Sequence, residues 1–143
     1  MSKERVIEDT TFRKLDKPFL LITVKSGVSY YRVNADESYS KVSGSLIGES
    51  TFAGLIRILA RKKNVEDALE ASAKGDNRNV DMCVKDIYGS GYKTIGLPGD
   101  VLASSMGRAQ FLDQEEINPD DTCRSLLYII SLNVAQLGSL MAQ

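Results

Sequence analysis

Three short strand-forming segments, separated by two compact turn signals, limit the fold of this 143-residue chain more than anything else in it. Phe19 to Val24 is a continuous apolar run of strand length, and Val28 to Val33 and Ser38 to Val42 are shorter β-leaning stretches. Lys25-Ser26-Gly27 supplies the glycine of a tight hairpin, and Asn34-Ala35-Asp36-Glu37 supplies Asn and Asp turn chemistry. The spacing predicts a three-stranded antiparallel meander. Residues 1–17, polar and without clear period, read as a flexible or loosely docked N-terminal arm, with order starting at Pro18.

Helices are expected to follow. Ser50 is a plausible N-cap for Thr51 to Lys63, where Phe52, Leu55, Ile56 and Leu59 make one apolar stripe and Arg61, Lys62 and Lys63 suit the C-terminal dipole. Asn64, with Asp67 three residues later, predicts a helix from Val65 to Lys74 that stops at Gly75. A third helix is predicted from Val80 to Ile87 with Asn79 as its cap, after which Gly89, Gly91, Gly96, Pro98 and Gly99 make an irregular segment, either a long loop or a site. Asn118-Pro119 starts a last helix that runs nearly to the end. Its stripe of Cys123, Leu127, Ile130, Val134, Leu137 and Met141 is widened by Leu126, Ile129 and Leu140.

Composition narrows the function classes. The chain is of single-domain size, with 43% hydrophobic and 26% charged residues and no run approaching the roughly 20 apolar residues of a membrane span. A net charge of -1 offers no field for a phosphate backbone, so nucleic acid is not an expected partner. The chain has no histidine, which removes imidazole catalysis and the commonest metal ligand. Cys83 and Cys123 alone propose neither a disulfide framework nor a zinc site, and a reducing compartment such as the cytosol fits them best.

Three constellations could carry chemistry. Ser43 to Thr51 joins a strand to a helix N-terminus, where free amides can hold a phosphate, although strand-to-helix turns are commonly rich in Gly and Ser and Glu49 would repel an anion. Ser26-Gly27-Val28-Ser29 places two hydroxyls at a hairpin turn, either for a small polar ligand or to satisfy the turn's own backbone. Tyr88 and Tyr92, with Leu97 to Ser105, could line a partly apolar pocket or simply pack. Read from the residues alone, this is a small α/β domain with a possible anion site and no complete catalytic set.

The order of segments adds a resemblance. It runs through Pro18 to Leu21, Ser26 to Ser29, Val42-Ser43-Gly44 with Gly48 and Thr51-Phe52, and Ala73 to Asp76. It continues through Asn79-Val80-Asp81-Met82, Lys85-Asp86-Ile87-Tyr88-Gly89, Gly96 to Gly99, Ala103-Ser104-Ser105 with Gly107, and Ser125 to Asn133. This series resembles the middle and later part of the eukaryotic-type pantothenate kinases. The resemblance implies an incomplete lobe of an actin-like, ribonuclease-H-like kinase fold over residues 18–143. It implies that Ser26, Val28, Ser29, Tyr88, Tyr92 and Ala103 face pantothenate or the pantetheine arm of an inhibitory acyl-CoA, and that Gly48 and Thr51 lie near the nucleotide phosphates.

Departures from the family pattern accompany it. Lys25 stands where the family usually has glycine, Lys41 where it has an active-site arginine, and Glu49-Ser50 where it has Gly-Gly. Lysine keeps the charge of arginine but loses its bidentate fork. The family's phosphate loop and catalytic carboxylate lie upstream of the matched segments, so no catalytic residue and no metal ligand is expected in this chain. The expectation is a pantothenate kinase fragment whose complete enzyme uses ATP and Mg2+ in the cytoplasm. The alternative is a non-catalytic regulatory relative that binds a kinase subunit or acyl-CoA. Either would form a homo- or hetero-oligomer.

Overall fold

The computed structural model describes residues 18–91, 94 and 96–143. The expected arm over 1–17 and Tyr92 lie outside these residues. Strands β1 (Phe19–Val24), β2 (Val28–Val33) and β3 (Tyr39–Ser45) form one antiparallel sheet in the order β1-β2-β3, as the turn signals predict. β3 runs three residues beyond the expected Val42, because Ser43 and Ser45 pair with Tyr30 and Val28 and Gly44 pairs with Ser29. The register slips between Tyr30 and Tyr31, where Tyr30 faces Ser43 but Tyr31 faces Lys41, leaving Val42 as the extra residue of a β-bulge.

The sheet's inner face rests on the last helix. Val28 and Tyr30 are buried, and the Tyr30 hydroxyl donates to the Val134 carbonyl at 3.1 Å. Burial pushes the Tyr30 phenol above its ordinary pKa. Gly138 makes the contact possible, since a Cβ there would sit 2.7 Å from Ile22 Cδ1.

Helix α1 (Glu49–Leu59) starts two residues before the expected Thr51, with Gly48 as its N-cap in place of Ser50. It also ends four residues early. Arg61 adopts a left-handed φ of 54°, and the Lys62 N–H closes back on the Ile56 carbonyl at 3.1 Å, a helix-terminating bond. Lys62 then pairs with Asp120 at 2.8 Å instead of extending the helix, and that hydrogen bond raises its pKa. Helix α2 (Val65–Lys74) has the expected bounds, with Asn64 Oδ1 accepting from Asp67 N at 2.8 Å. Gly75 serves space, not conformation: its φ is -73°, and a Cβ would sit 2.2 Å from the Asp120 carbonyl oxygen.

The predicted helix from Val80 to Ile87 is corrected. Asn77–Asn79 form a single 3-10 turn, β4 (Met82–Cys83) pairs with a short strand β5 (Leu102–Ser104), and the helix α3 is only Val84–Tyr88. The Val80 carbonyl explains why, because it accepts from the Arg108 and Ala109 amides at 2.9 and 3.1 Å. Cys83 N donates to Asp86 Oδ2 at 2.7 Å, and Gly89, with φ of 73°, stops α3. That backbone bond, followed by the Asp86–Arg108 ion pair at 2.8 Å, holds the Asp86 carboxyl below its ordinary pKa.

Helix α4 (Pro119–Met141) is the element on which the others meet. Asn118 caps it by accepting from Asp120 N at 2.8 Å, with Pro119 at the first helical position. Its Cys123, Leu126 and Ile130 join Phe52 and Ile56 of α1 and Ala68 and Ala71 of α2 in one core. A side chain the size of Ile56 at zero exposure stabilises by about 2–3 kcal/mol through transfer alone. The same burial pushes the Cys123 thiol up. Ile129 and Leu140, expected to widen the apolar face, are exposed.

Among these elements sits a buried polar junction. Asp81, fully buried, accepts from Asn77 Nδ2 at 2.6 Å, from Met106 N at 2.8 Å and from the Ser125 hydroxyl of α4. Asp121 accepts from Asp76 N at 2.6 Å and Asn79 Nδ2 at 2.8 Å. The block from Asn79 to Gly89, part of the family resemblance, is thus occupied with holding β4, α3 and β5 against α4.

Candidate ligand groove

The outer face of the meander carries a different kind of polarity. Cross-strand pairing sets Thr23 beside Ser29 and Ser29 beside Gly44, and one row along sets Leu21 beside Tyr31 and Tyr31 beside Lys41. Directly paired residues project to the same side of a sheet. Lys41 and Gly44 are three positions apart, an odd spacing that would put them on opposite faces, and the Val42 bulge restores them to one. Lys41 lies over Gly44, its Cε and Nζ both 3.6 Å from where a Cβ would be.

These residues line a groove of about 590 Å³, together with Lys25, Ser26, Gly27 and Val28 from the β1–β2 turn and Ser45 and Leu46 from the end of β3. The turn is held in place by α1. Lys25 N donates to the Gly27 carbonyl at 2.8 Å, and the Lys25 carbonyl accepts from Glu49 N at 2.7 Å. Gly48 is wedged against this turn, with room for no Cβ: one would stand 2.6 Å from the Lys25 carbonyl oxygen. The groove lining contains no carboxylate, and neither Lys25 nor Lys41 has an ion-pair partner among the described residues.

Of the residues singled out from the sequence, Ser26, Val28, Ser29 and Lys41 come together in this groove. Ala103 lines a separate recess of about 210 Å³ between β5 and α4, shared with Ser104, Ser105, Ile129, Leu132, Asn133 and Gln136. Tyr88, at the end of α3 and 56% exposed, belongs to the lining of neither. Gly48 and Thr51 sit behind the turn. The Thr51 hydroxyl donates to the Leu46 carbonyl at 2.9 Å and accepts from Gly48 N at 3.3 Å, so it fixes the loop that precedes α1.

Sequence reasoning missed Thr23, Tyr31, Gly44 and Ser45 as lining residues. Thr23 was within reach, because a three-residue turn at 25–27 puts residue 23 opposite 29. Gly44 and Tyr31 were not, since their alignment with Lys41 depends on a bulge that no turn residue announces.

The meander and its helices make this a mixed α/β protein with an uncovered, cationic, hydroxyl-rich groove on its sheet. The family model described as Fumble matches residues 3–143, and the chain belongs to that family, the eukaryotic-type pantothenate kinases. Pantothenate kinase 1 of Arabidopsis thaliana is 42% identical over 128 residues, covering 87% of this chain and 33% of that protein. The pantothenate kinase of Schizosaccharomyces pombe is 40% identical over 131 residues, covering 88% and 32%. The 4'-phosphopantetheine phosphatase of Mus musculus is 39% identical over 126 residues, covering 88% and 15%. The chain therefore spans about a third or less of the length of the curated relatives it matches.

Proposed function

We propose that this chain supplies the pantothenate-binding part of a pantothenate kinase, the enzyme that transfers the γ-phosphoryl group of ATP to pantothenate at the start of coenzyme A synthesis. The observation that carries the reading is the convergence of Ser26 from the β1–β2 turn, Val28 and Ser29 from β2 and Lys41 from β3 on one groove. In this reading residues 18–143 are one lobe of an actin-like kinase fold acting in the cytoplasm. Lys41 holds the substrate's carboxylate as a point charge, where an arginine would grip it with two parallel bonds. Ser29 and Ser26 donate to its polar groups, and Val28, whose side chain is buried on the inner face, borders the groove between them. Tyr88, Tyr92 and Ala103 complete the cavity when pantothenate or an acyl-CoA is bound.

Gly48 and Thr51 support the nucleotide side by fixing the 46–49 loop. The groove's residues do not fit a magnesium ion, because none is a carboxylate, and the described residues contain no acidic or cysteine cluster able to hold a metal. The metal and the base that accepts the substrate hydroxyl proton are therefore assigned to residues outside 18–143, in the same polypeptide or in an associated kinase subunit. Positioning is this lobe's contribution to phosphoryl transfer.

A non-catalytic reading, in which the chain binds acyl-CoA or a kinase subunit and regulates, is favoured by Glu49 at the first position of α1. Its charge there would repel a nucleotide phosphate. Calorimetric titration with pantothenate, acetyl-CoA and magnesium-ATP separates the two. Pantothenate binding, weakened about tenfold or less by Ser29→Ala as expected for one lost hydrogen bond, supports the kinase lobe. Acetyl-CoA binding without pantothenate binding supports the regulator, and heat from neither ligand rejects both.

A further inference from the structure

Two lysines stand in a groove whose proposed carboxylate ligand needs one. Lys41 reaches the outer face through the Val42 bulge and lies over Gly44, while Lys25 enters from the β1–β2 turn at the other end of the Ser29 row. The two arrive from different elements, a turn and a strand, and are fixed independently. The Lys25 main chain is held on both sides, by its bond to Gly27 and by Glu49 of α1. Lys41 is held by its pairing with Tyr31, whose ring is in turn braced edge-on by Tyr39 at 6.3 Å.

Three cations of the described structure are matched by acids: Lys62 by Asp120, Arg78 by Asp76 and Arg108 by Asp86. Lys25 and Lys41 have no such partner among the described residues, and no acidic side chain lines the groove they share. Like charges gathered without a counter-charge repel one another, so a local arrangement of this kind disfavours the empty state and favours an anion. The neighbouring side chains fit the same role, since Thr23, Ser26, Ser29 and Tyr31 all carry hydroxyls able to donate.

From this we infer that the groove selects a small molecule bearing a phosphate monoester over one bearing only a carboxylate. A phosphomonoester carries about -1.5 to -2 charges near neutrality and three acceptor oxygens, which matches two ammonium groups and a set of hydroxyl donors. A lone carboxylate has one charge and two oxygens, and leaves one lysine uncompensated. The groove's volume of about 590 Å³ suits a small molecule, within the roughly 300–1,000 Å³ common for such sites. The inference rests on the groove being the ligand site proposed above, and departs from that proposal in the charge of the ligand.

The test is titration of the purified protein with two probes, glycerol phosphate and pantothenate, at low and moderate salt. Glycerol phosphate binds more tightly and with the steeper salt dependence. Lys25→Gln weakens it about fivefold, the equivalent of the ~1 kcal/mol upper value for an exposed charge pair, and Lys25→Arg restores it. Pantothenate bound at least as tightly, with a ratio of affinities that Lys25→Gln leaves unchanged, overturns the inference and leaves the carboxylate reading standing. Glycerol phosphate binding that survives Lys25→Gln combined with Lys41→Gln places the ligand outside the groove and also overturns it. Absence of binding by either probe overturns both readings. Lys25 is exposed in a turn, so its variants keep the fold, and an unchanged thermal melt verifies that.

Discussion

Asp81 and Lys41 are both charged residues set among hydroxyls and backbone amides, yet their surroundings differ in every other respect. Asp81 is fully enclosed, and its carboxylate is filled by Asn77, Met106 and Ser125. Lys41 is exposed over an open groove, with no acidic partner among the described residues. Burying a charge is costly unless its hydrogen-bonding capacity is met inside the protein, so the Asp81 cluster is a clasp of the fold with nothing left to offer a ligand. Water can satisfy the groove's groups, and a ligand can replace that water. Two equally polar regions are thus separated by how completely each is satisfied from within.

Breaking the clasp gives the largest expected effect. Asp81→Ala strands the Ser125 hydroxyl, the Asn77 amide and the Met106 N–H, and should lower the unfolding free energy by about 3–5 kcal/mol in urea titration. Gly48→Ala comes next. It forces a Cβ to 2.6 Å from the Lys25 carbonyl oxygen, costs about 1–3 kcal/mol, and weakens ligand binding by shifting the turn that carries Ser26. Asn118→Ala removes the cap of α4 and costs ~1 kcal/mol with no change in groove affinity. That pairing of stability loss with intact binding sharpens the contrast between the regions.

The smallest effect is a pH dependence on the clasp side. The Arg78 side chain, donating to Asp76, holds that carboxyl down at about 2 from 3.8. A depressed carboxylate adds stability that is fully present above its unfolded pKa and disappears as pH falls through the folded value. Unfolding free energy should therefore gain slope between about pH 4 and 2, and Asp76→Asn should flatten it there. The pair is exposed, so the amplitude is under about 1 kcal/mol.

Local signals made much of this fold legible. β1, β2 and α2 match their expected spans, because glycine, asparagine and alternating burial act within a few residues. What was not legible depended on partners far along the chain. The predicted helix over Val80 to Ile87 failed because the Val80 carbonyl and the Met82–Cys83 backbone are claimed by residues 102–109. Helix α1 ended early where Lys62 turned to reach Asp120, 58 residues away. In the groove, Ser26 and Ser29 were visible from the hairpin motif, whereas the place of Lys41 beside them was not, since it rests on a one-residue slip between β2 and β3.

That slip leaves Val42 as the one residue of β3 that no cross-strand partner fixes. Val42 is exposed and pairs with nothing across the sheet, so many residues could stand there. Deleting it would set Lys41 directly before Ser43, opposite the neighbours Tyr31 and Tyr30, so the alternation of faces would hold and only the local bend would be lost. One further inserted residue would instead turn one side of β3 over. Among descendants of this sequence, β3 should therefore tolerate spelling changes or a single deletion at position 42 and reject an insertion there.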